Sequence, residues 1–301
     1  MAEQHATAGQ IDLCYETFGD AADPTILLIM GLGTQMLAWR TEFCELLAGE
    51  RYHVIRYDNR DVGQSTHFSA TPPPGPLELI LRRPRSPAYT LDDMADDAAN
   101  LLAALDVESA HIVGVSMGGM IAQTLAVRHP GRVRSLVSIM STTGAPLVGI
   151  LSPRVLPYLL KPASAEREEA IARSLALADV IHSPGFERDR EGTREIAGAS
   201  FDRSGDRRGT ARQMAAILAS GDRTKALAGI TAPTLVVHGD SDRMVAVSGG
   251  KATAKAIPGA RLEVVAGMGH DLPRGLWPRL VKLIADQARA ADGGPAPLHA
   301  R

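Results

Sequence analysis

Gly114-Val-Ser-Met-Gly118 sets a serine between two glycines, with an apolar run at residues 111–115 before it and a stretch of helical spacing after it. A strand that turns straight into a helix strains the backbone of the residue at the turn and exposes its side chain. Larger side chains two positions to either side would collide with neighbouring backbone. Gly114 and Gly118 meet that demand, and Gly119 permits closer packing still. Ser116 is therefore a candidate nucleophile. The competing reading is a glycine-rich turn with an incidental serine, since G-x-S-x-G recurs by chance. A serine hydroxyl is a weak nucleophile without a base, so the partners elsewhere in the chain decide between the two.

For a serine on such a turn, an acid and then a histidine follow in the chain. Gly267-Met-Gly-His270 comes directly after the apolar run at residues 261–265, and its glycines let the loop turn sharply and aim His270 back over the strands. The chain has eight other histidines. His5 is expected in a loose N-terminus, His53, His111 and His238 within or beside strands as packed residues, and His129 at a helix end next to Pro130. His67, His182 and His299 have no strand end to present them. The acid belongs after the preceding strand, where His238-Gly-Asp-Ser-Asp242 offers two. Either could reach an imidazole; Asp242 is favoured because the loop continues past the glycine before presenting its acid, and Asp240 is expected to brace the turn. The acid would hold the tautomer of His270 and stabilise the imidazolium as it forms.

A tetrahedral intermediate also needs backbone N–H donors. Met117, the residue after the serine, is one candidate. The second is sought in Met30-Gly-Leu-Gly-Thr34, whose glycines allow close approach of backbone to substrate, and by position it is Leu32. An ordinary turn is the alternative reading of that loop.

These residues require a scaffold of alternating strands and helices. Residues 9–18 alternate apolar and polar side chains, as in a half-buried antiparallel strand, whereas residues 25–29 (Thr-Ile-Leu-Leu-Ile) are solidly apolar, as in a parallel strand covered on both faces. Further strands are expected at residues 52–57, 111–115, 135–140, 234–238 and 261–265. Helices are expected around residues 39–47, over 91–105 with Thr90 and Asp93 as a capping pair, over 117–129 and over 276–288. This is the pattern of an α/β protein with a mainly parallel sheet. Residues 66–89, rich in Pro, Arg and Ser, read as a loop or a partly ordered excursion. The alternation breaks at residues 144–228, where proline kinks precede charged helical stretches at 165–179 and 210–218; this reads as a helical insertion over the sheet. The core would then be residues 1–143 and 229–291, with a flexible tail at 292–301.

The 301 residues suffice for one large domain with an insertion. A net charge of −2 and 4% aromatic residues disfavour nucleic acid as a partner. Cys14 and Cys44 suggest neither a disulfide framework nor a metal site. No apolar run is long enough to span a bilayer and no signal-type segment opens the chain, so a cytoplasmic protein is expected.

Taken together, Met30-Gly-Leu-Gly33, Asp58-Asn-Arg-Asp-Val-Gly-Gln-Ser65, Gly114-Val-Ser-Met-Gly118, Gly239-Asp-Ser-Asp242 and Gly267-Met-Gly-His270 resemble the α/β-hydrolase superfamily. Within it the chain is most similar to the bacterial serine-esterase branch that contains aclacinomycin methylesterase. The resemblance covers roughly residues 9–288 and is weakest across the insertion. It implies an eight-stranded, mainly parallel sheet flanked by helices, an inserted helical cap, and a hydrolase that needs no cofactor or metal. The expected partner is a small-molecule ester with an apolar part. Two points stand apart. Many members open the oxyanion loop with His-Gly, where this chain has Met30-Gly31, a change that leaves backbone donors available. The stretch from Asp58 to Ser65 reads as structural, with Arg60 and Asp61 holding a loop near the site. Lactonases, carbon–carbon bond hydrolases, cofactor-free perhydrolases and non-catalytic binding proteins share the scaffold, because the pocket and not the triad sets the substrate.

Overall fold

The computed structural model describes residues 2–75, 78, 84–159 and 164–293. The strands are β1 (Gln4–Ala8), β2 (Ile11–Phe18), β3 (Thr25–Ile29), β4 (His53–Tyr57), β5 (Ala110–Val115), β6 (Val133–Ile139), β7 (Thr234–Gly239) and β8 (Arg261–Val265). They form one eight-stranded sheet in the order β1-β2-β4-β3-β5-β6-β7-β8. The β1–β2 and β2–β4 pairs are antiparallel; all other neighbours are parallel.

The solid apolar strands are solid because both faces of the sheet are covered. In β3, Leu27 and Ile29 join Ile55, Ile112 and Leu136 beneath α2 (Leu91–Ala104) and α3 (Met117–Arg128). Ile26 and Leu28 point the other way, joining Val54, Val113 and Val137 beneath α1 (Thr41–Gly49) and α10 (Trp277–Ala291). Alternation of side chains along a strand makes one five-residue run serve two cores. α10 buries Leu280, Val281, Ile284, Ala285 and Ala288 along one stripe. At the start of α2 the Thr90 N–H donates to Asp93 Oδ2 at 2.7 Å, so the expected capping pair forms.

Between β6 and β7 lie α4 (Leu156–Leu159), α5 (Arg167–Ile181), α6 (Arg190–Arg203), α7 (Gly209–Ser220) and α8 (Thr224–Leu227). α9 (Ser248–Ala256) connects β7 to β8. The expected stretches at 165–179 and 210–218 correspond to α5 and α7. α6 and α9 were not legible in the sequence. α6 has no apolar stripe: its buried positions are Gly192 and Gly198, and it meets α5 where Gly198 lies against Arg167 and Ile171, beside the Arg167–Asp202 ion pair at 2.9 Å.

Two expectations need correction. The N-terminus is not loose: residues 4–8, His5 included, pair with β2 as an edge strand. Nor is β2 half-exposed, since its polar positions Cys14 and Glu16 are buried, Glu16 against the guanidinium of Arg56. That face is covered by pairing charges, which no apolar periodicity announces. Residues 294–301 of the expected flexible tail, and parts of the Pro- and Arg-rich stretch, lie outside the described residues.

Candidate active site

Loops leaving the carboxyl ends of β3, β5, β7 and β8 converge, as ligand sites do in parallel α/β sheets. Ser116 stands at the turn from β5 to α3 with φ 57° and ψ −119°, a backbone conformation that costs a non-glycine residue of order 1–3 kcal/mol. The surroundings impose it. The Ser116 N–H donates to Ile139 O at 2.9 Å, and Ser141 Oγ donates to Ser116 O at 2.8 Å. A Cβ on Gly114 would lie 2.1 Å from Gly118 O, and one on Gly118 would lie 2.1 Å from Ile29 O. Both glycines are thus required by backbone, which no rotamer change can relieve. Ser141 gave no sequence signal; it lies just past the end of β6 and only the parallel register brings it to the turn.

His270 Nε2 lies 3.0 Å from Ser116 Oγ, and its Nδ1 lies 2.7 Å from Asp242 Oδ2. The other carboxylate oxygen accepts the N–H groups of Met244 and Val245, each at 2.8 Å. Burial pushes the Asp242 carboxyl up, but the His270 charge and hydrogen bonds from His238, His270 and the Val245 N–H outweigh it and bring it down to about 2. An ionised Asp242 can only accept. Nδ1 of His270 therefore carries a proton, and in the neutral imidazole the Nε2 lone pair faces the serine hydroxyl. Behind Asp242 the fully buried His238 donates from Nε2 to Val245 O at 2.8 Å and lies 3.4 Å from Asp242 Oδ2.

Of the two candidate acids, Asp242 faces the imidazole. Asp240 accepts the Gly267 N–H at 2.8 Å and so ties the β7 turn to the loop carrying His270. That loop is held from the insertion as well. The His270 N–H donates to Ile181 O at 2.8 Å, and the Gly269 N–H donates to Ser183 Oγ at 2.8 Å. A Cβ on Gly269 would lie 2.3 Å from His182 O, so the glycine admits the end of α5.

The loop after β3 passes directly beside the serine: a Cβ on Gly31 would stand 3.2 Å from Ser116 Cβ. Among the described residues the Leu32 N–H has no hydrogen-bond partner, whereas the Gly33 N–H donates to Gln213 Oε1 at 2.7 Å. Met117 is the first residue of α3, where the N–H precedes the helix's own acceptors. Asn59 Nδ2 anchors Met30 O at 3.0 Å, and Asp58 Oδ1 accepts the Met36 N–H at 2.7 Å. Arg60 pairs with Asp97, and Asp61 with Arg212 and Tyr89, so the stretch from Asp58 to Ser65 has the structural part expected of it. Trp39 is buried and stacks on Phe43 at 5.4 Å. Phe186 packs against the core beside α10, and the Phe201 ring carries the Arg207 guanidinium at 3.5 Å. Among the described residues no group of three or more His, Cys, Asp or Glu is placed to hold a metal ion, and no helix is long and apolar enough to cross a membrane.

Residues 24–273 match the family model described as the alpha/beta hydrolase fold. The chain belongs to the α/β-hydrolase fold family. Among curated relatives of this α/β-hydrolase, rhodomycin D methylesterase DauP of Streptomyces sp. (strain C5) is 29% identical, spanning 97% of this chain and 99% of its own. The 3-oxoadipate enol-lactonase 2 of Acinetobacter baylyi is 28% identical over 86% of each chain. Among solved structures, the enol-lactonase from Burkholderia xenovorans LB400 superposes with a TM-score of 0.73 at 25% identity, covering 94% of this chain and 99% of that one.

Proposed function

We propose that this α/β-hydrolase is a carboxylic ester hydrolase that works through an acyl-enzyme on Ser116. The observation that carries the reading is the line Asp242 Oδ2, His270 Nδ1, His270 Nε2, Ser116 Oγ, with spacings of 2.7 and 3.0 Å at its two polar contacts. Ser116 Oγ attacks the acyl carbon and its proton passes to His270 Nε2. Asp242 balances the imidazolium, and the N–H groups of Met117 and Leu32 donate to the oxyanion. Collapse breaks the acyl C–O bond, and the departing alkoxide takes the proton from His270. Water then attacks the acyl-enzyme while giving a proton to His270; that proton returns to Ser116 Oγ as the carboxylic acid leaves.

Residues 144–228 act as a cap over the site in this reading. Their contacts with the loops carrying His270 and Gly33 support it. The methylesterase relatives, matched over nearly their whole length, favour a carboxylic methyl ester as substrate. The enol-lactonase relatives favour a second reading, a lactone, which is the same bond closed into a ring.

The test is hydrolysis of methyl esters, p-nitrophenyl acyl esters and lactones by wild type and Ser116→Ala side by side. Turnover by wild type that falls at least about a thousandfold in a folded Ser116→Ala is the expected outcome. Equal rates in the two proteins would remove Ser116 from the mechanism. A preference for lactones over open esters would select the second reading.

A further inference from the structure

We infer that Gln213, on α7 in the insertion, is a positioning residue for the oxyanion loop and makes that loop's active shape depend on the docking of α7. The inference rests on the serine-hydrolase reading above. Gly31 to Thr34 form a turn closed by the Thr34 N–H on Gly31 O at 3.2 Å, with Gly33 at φ +64°. A positive φ at the third position marks a type II turn, which differs from type I chiefly by a flip of its central peptide. Here that peptide joins Leu32 to Gly33, and it is held at both ends. Thr34 Oγ1 donates to Leu32 O at 3.1 Å, and the Gly33 N–H donates to Gln213 Oε1 at 2.7 Å.

Gln213 can do this because it has no freedom. It is fully buried, and its other amide end donates to Arg60 O at 2.8 Å, which fixes which end faces Gly33. One helical turn earlier Thr210 packs on the same glycine, where an added Cβ would meet its Oγ1 at 2.6 Å. The adjacent Arg212, 1% exposed, pins the helix to Asp61 with bonds of 2.8 and 2.7 Å. Without the acceptor on Gln213, the Gly33 N–H would be free to turn towards the site, and the Leu32–Gly33 peptide could flip. Such a flip would turn over the Leu32 carbonyl and the Gly33 N–H and release the adjoining Gly31–Leu32 peptide, whose N–H is the proposed oxyanion donor, from the turn that orients it, next to Gly31, where an added Cβ would stand 3.2 Å from Ser116 Cβ. The effect belongs to the charged tetrahedral species more than to substrate binding, because the oxyanion forms only after attack.

The experiment measures kcat and KM for a p-nitrophenyl acyl ester, and Ki for an alkyl boronic acid that forms a tetrahedral serine adduct. The proteins are wild type, Gln213→Met, Thr34→Val and Ser116→Ala. Gln213→Met keeps length and removes the acceptor; Thr34→Val releases the same peptide from its other end without touching α7. The expected result for Gln213→Met is a fall in kcat of about 10- to 100-fold with KM within about threefold, and a parallel rise in boronate Ki, short of the loss for a whole oxyanion donor. Thr34→Val should move kcat and Ki in the same direction by a smaller factor. If both variants keep kcat and Ki within about twofold of wild type while Ser116→Ala is inactive, the positioning role is wrong and the serine mechanism stands. If KM rises with kcat unchanged, Gln213 serves substrate binding and the inference is overturned. If Ser116→Ala retains the wild-type rate, the reading beneath the inference fails and takes it along.

Discussion

At Asp242 and Asp240, two carboxylates separated by one residue have been given different work by hydrogen bonding. Asp242 receives two backbone N–H groups on one oxygen and the imidazole on the other, and its carboxyl is brought down to about 2. Asp240 spends its acceptor capacity on Ser241 Oγ and the Gly267 N–H. Asp242→Asn should therefore lower kcat by on the order of 10⁴, by presenting the wrong imidazole tautomer to the serine, while Asp240→Asn leaves kcat within about tenfold. The reverse ranking would transfer the orienting role. The acid side of the pH–rate profile can be assigned in the same way. Asp242 stays ionised until the pH falls towards 2, so loss of its charge accounts for no fall in kcat/KM in mildly acidic solution.

Among elements, the β5–α3 turn takes its limits from backbone on three strands and a helix. Gly118 faces Ile29 O and Met30 O, so the turn and the loop after β3 share one contact. Gly118→Ala must push β3 away from α3. The expected cost is about 3 kcal/mol, with the melting temperature lowered by roughly 6 °C or more. A melting temperature within about 1 °C of wild type would show that the strand yields easily. The turn could be read from the sequence because its requirement is steric and local. The helices α6 and α9 could not, since each buries glycines against polar neighbours; Gly250, for instance, lies against the His238 ring. Apolar periodicity is the signal for a helix that packs by hydrophobic area, and these pack by close approach.

Over the whole molecule, the insertion is joined to the sheet by buried charge. Arg212 and Asp61 are 1% and 0% exposed, and Tyr89 Oη and the Phe68 N–H complete the carboxylate's shell. Burial raises the Asp61 carboxyl, but bonds from Arg212, Tyr89 and the Phe68 N–H outweigh it and hold the group below the usual aspartate range. Its stabilising contribution is present at neutral pH and is lost as the pH falls through that lowered value. Removing the guanidinium alone leaves a buried carboxylate without its cation, at a cost of about 3–5 kcal/mol. Arg212→Leu should lose that amount at pH 7 in a denaturant titration. The deficit should shrink towards pH 5, because the stranded carboxyl then takes up a proton more readily than in the wild type. A deficit that does not change with pH would mean that the carboxylate has found another partner.

What could be known from the sequence follows from contacts made along the chain. The strand–turn–helix around Ser116, the glycine-flanked His270, the choice of Asp242 past its glycine and the solid apolar strands all depend on neighbours a few residues away. Their steric and periodic demands therefore appear directly in residue types. The sequence reached its limits where two distant segments satisfy each other. Gln213 reaches Gly33 across 180 positions, and Ser183 reaches Gly269 across 86. The pairing of residues 4–8 with β2 has the same origin, because an edge strand is stabilised by its partner's hydrogen bonds and not by its own side chains. A buried glutamine, serine or arginine looks in sequence like a surface residue, since its polarity is matched by a partner that only the folded chain supplies. Tertiary structure therefore decided how the insertion grips the loops carrying Gly33 and His270, while Ser116, Asp242 and His270 were already singled out by the local sequence.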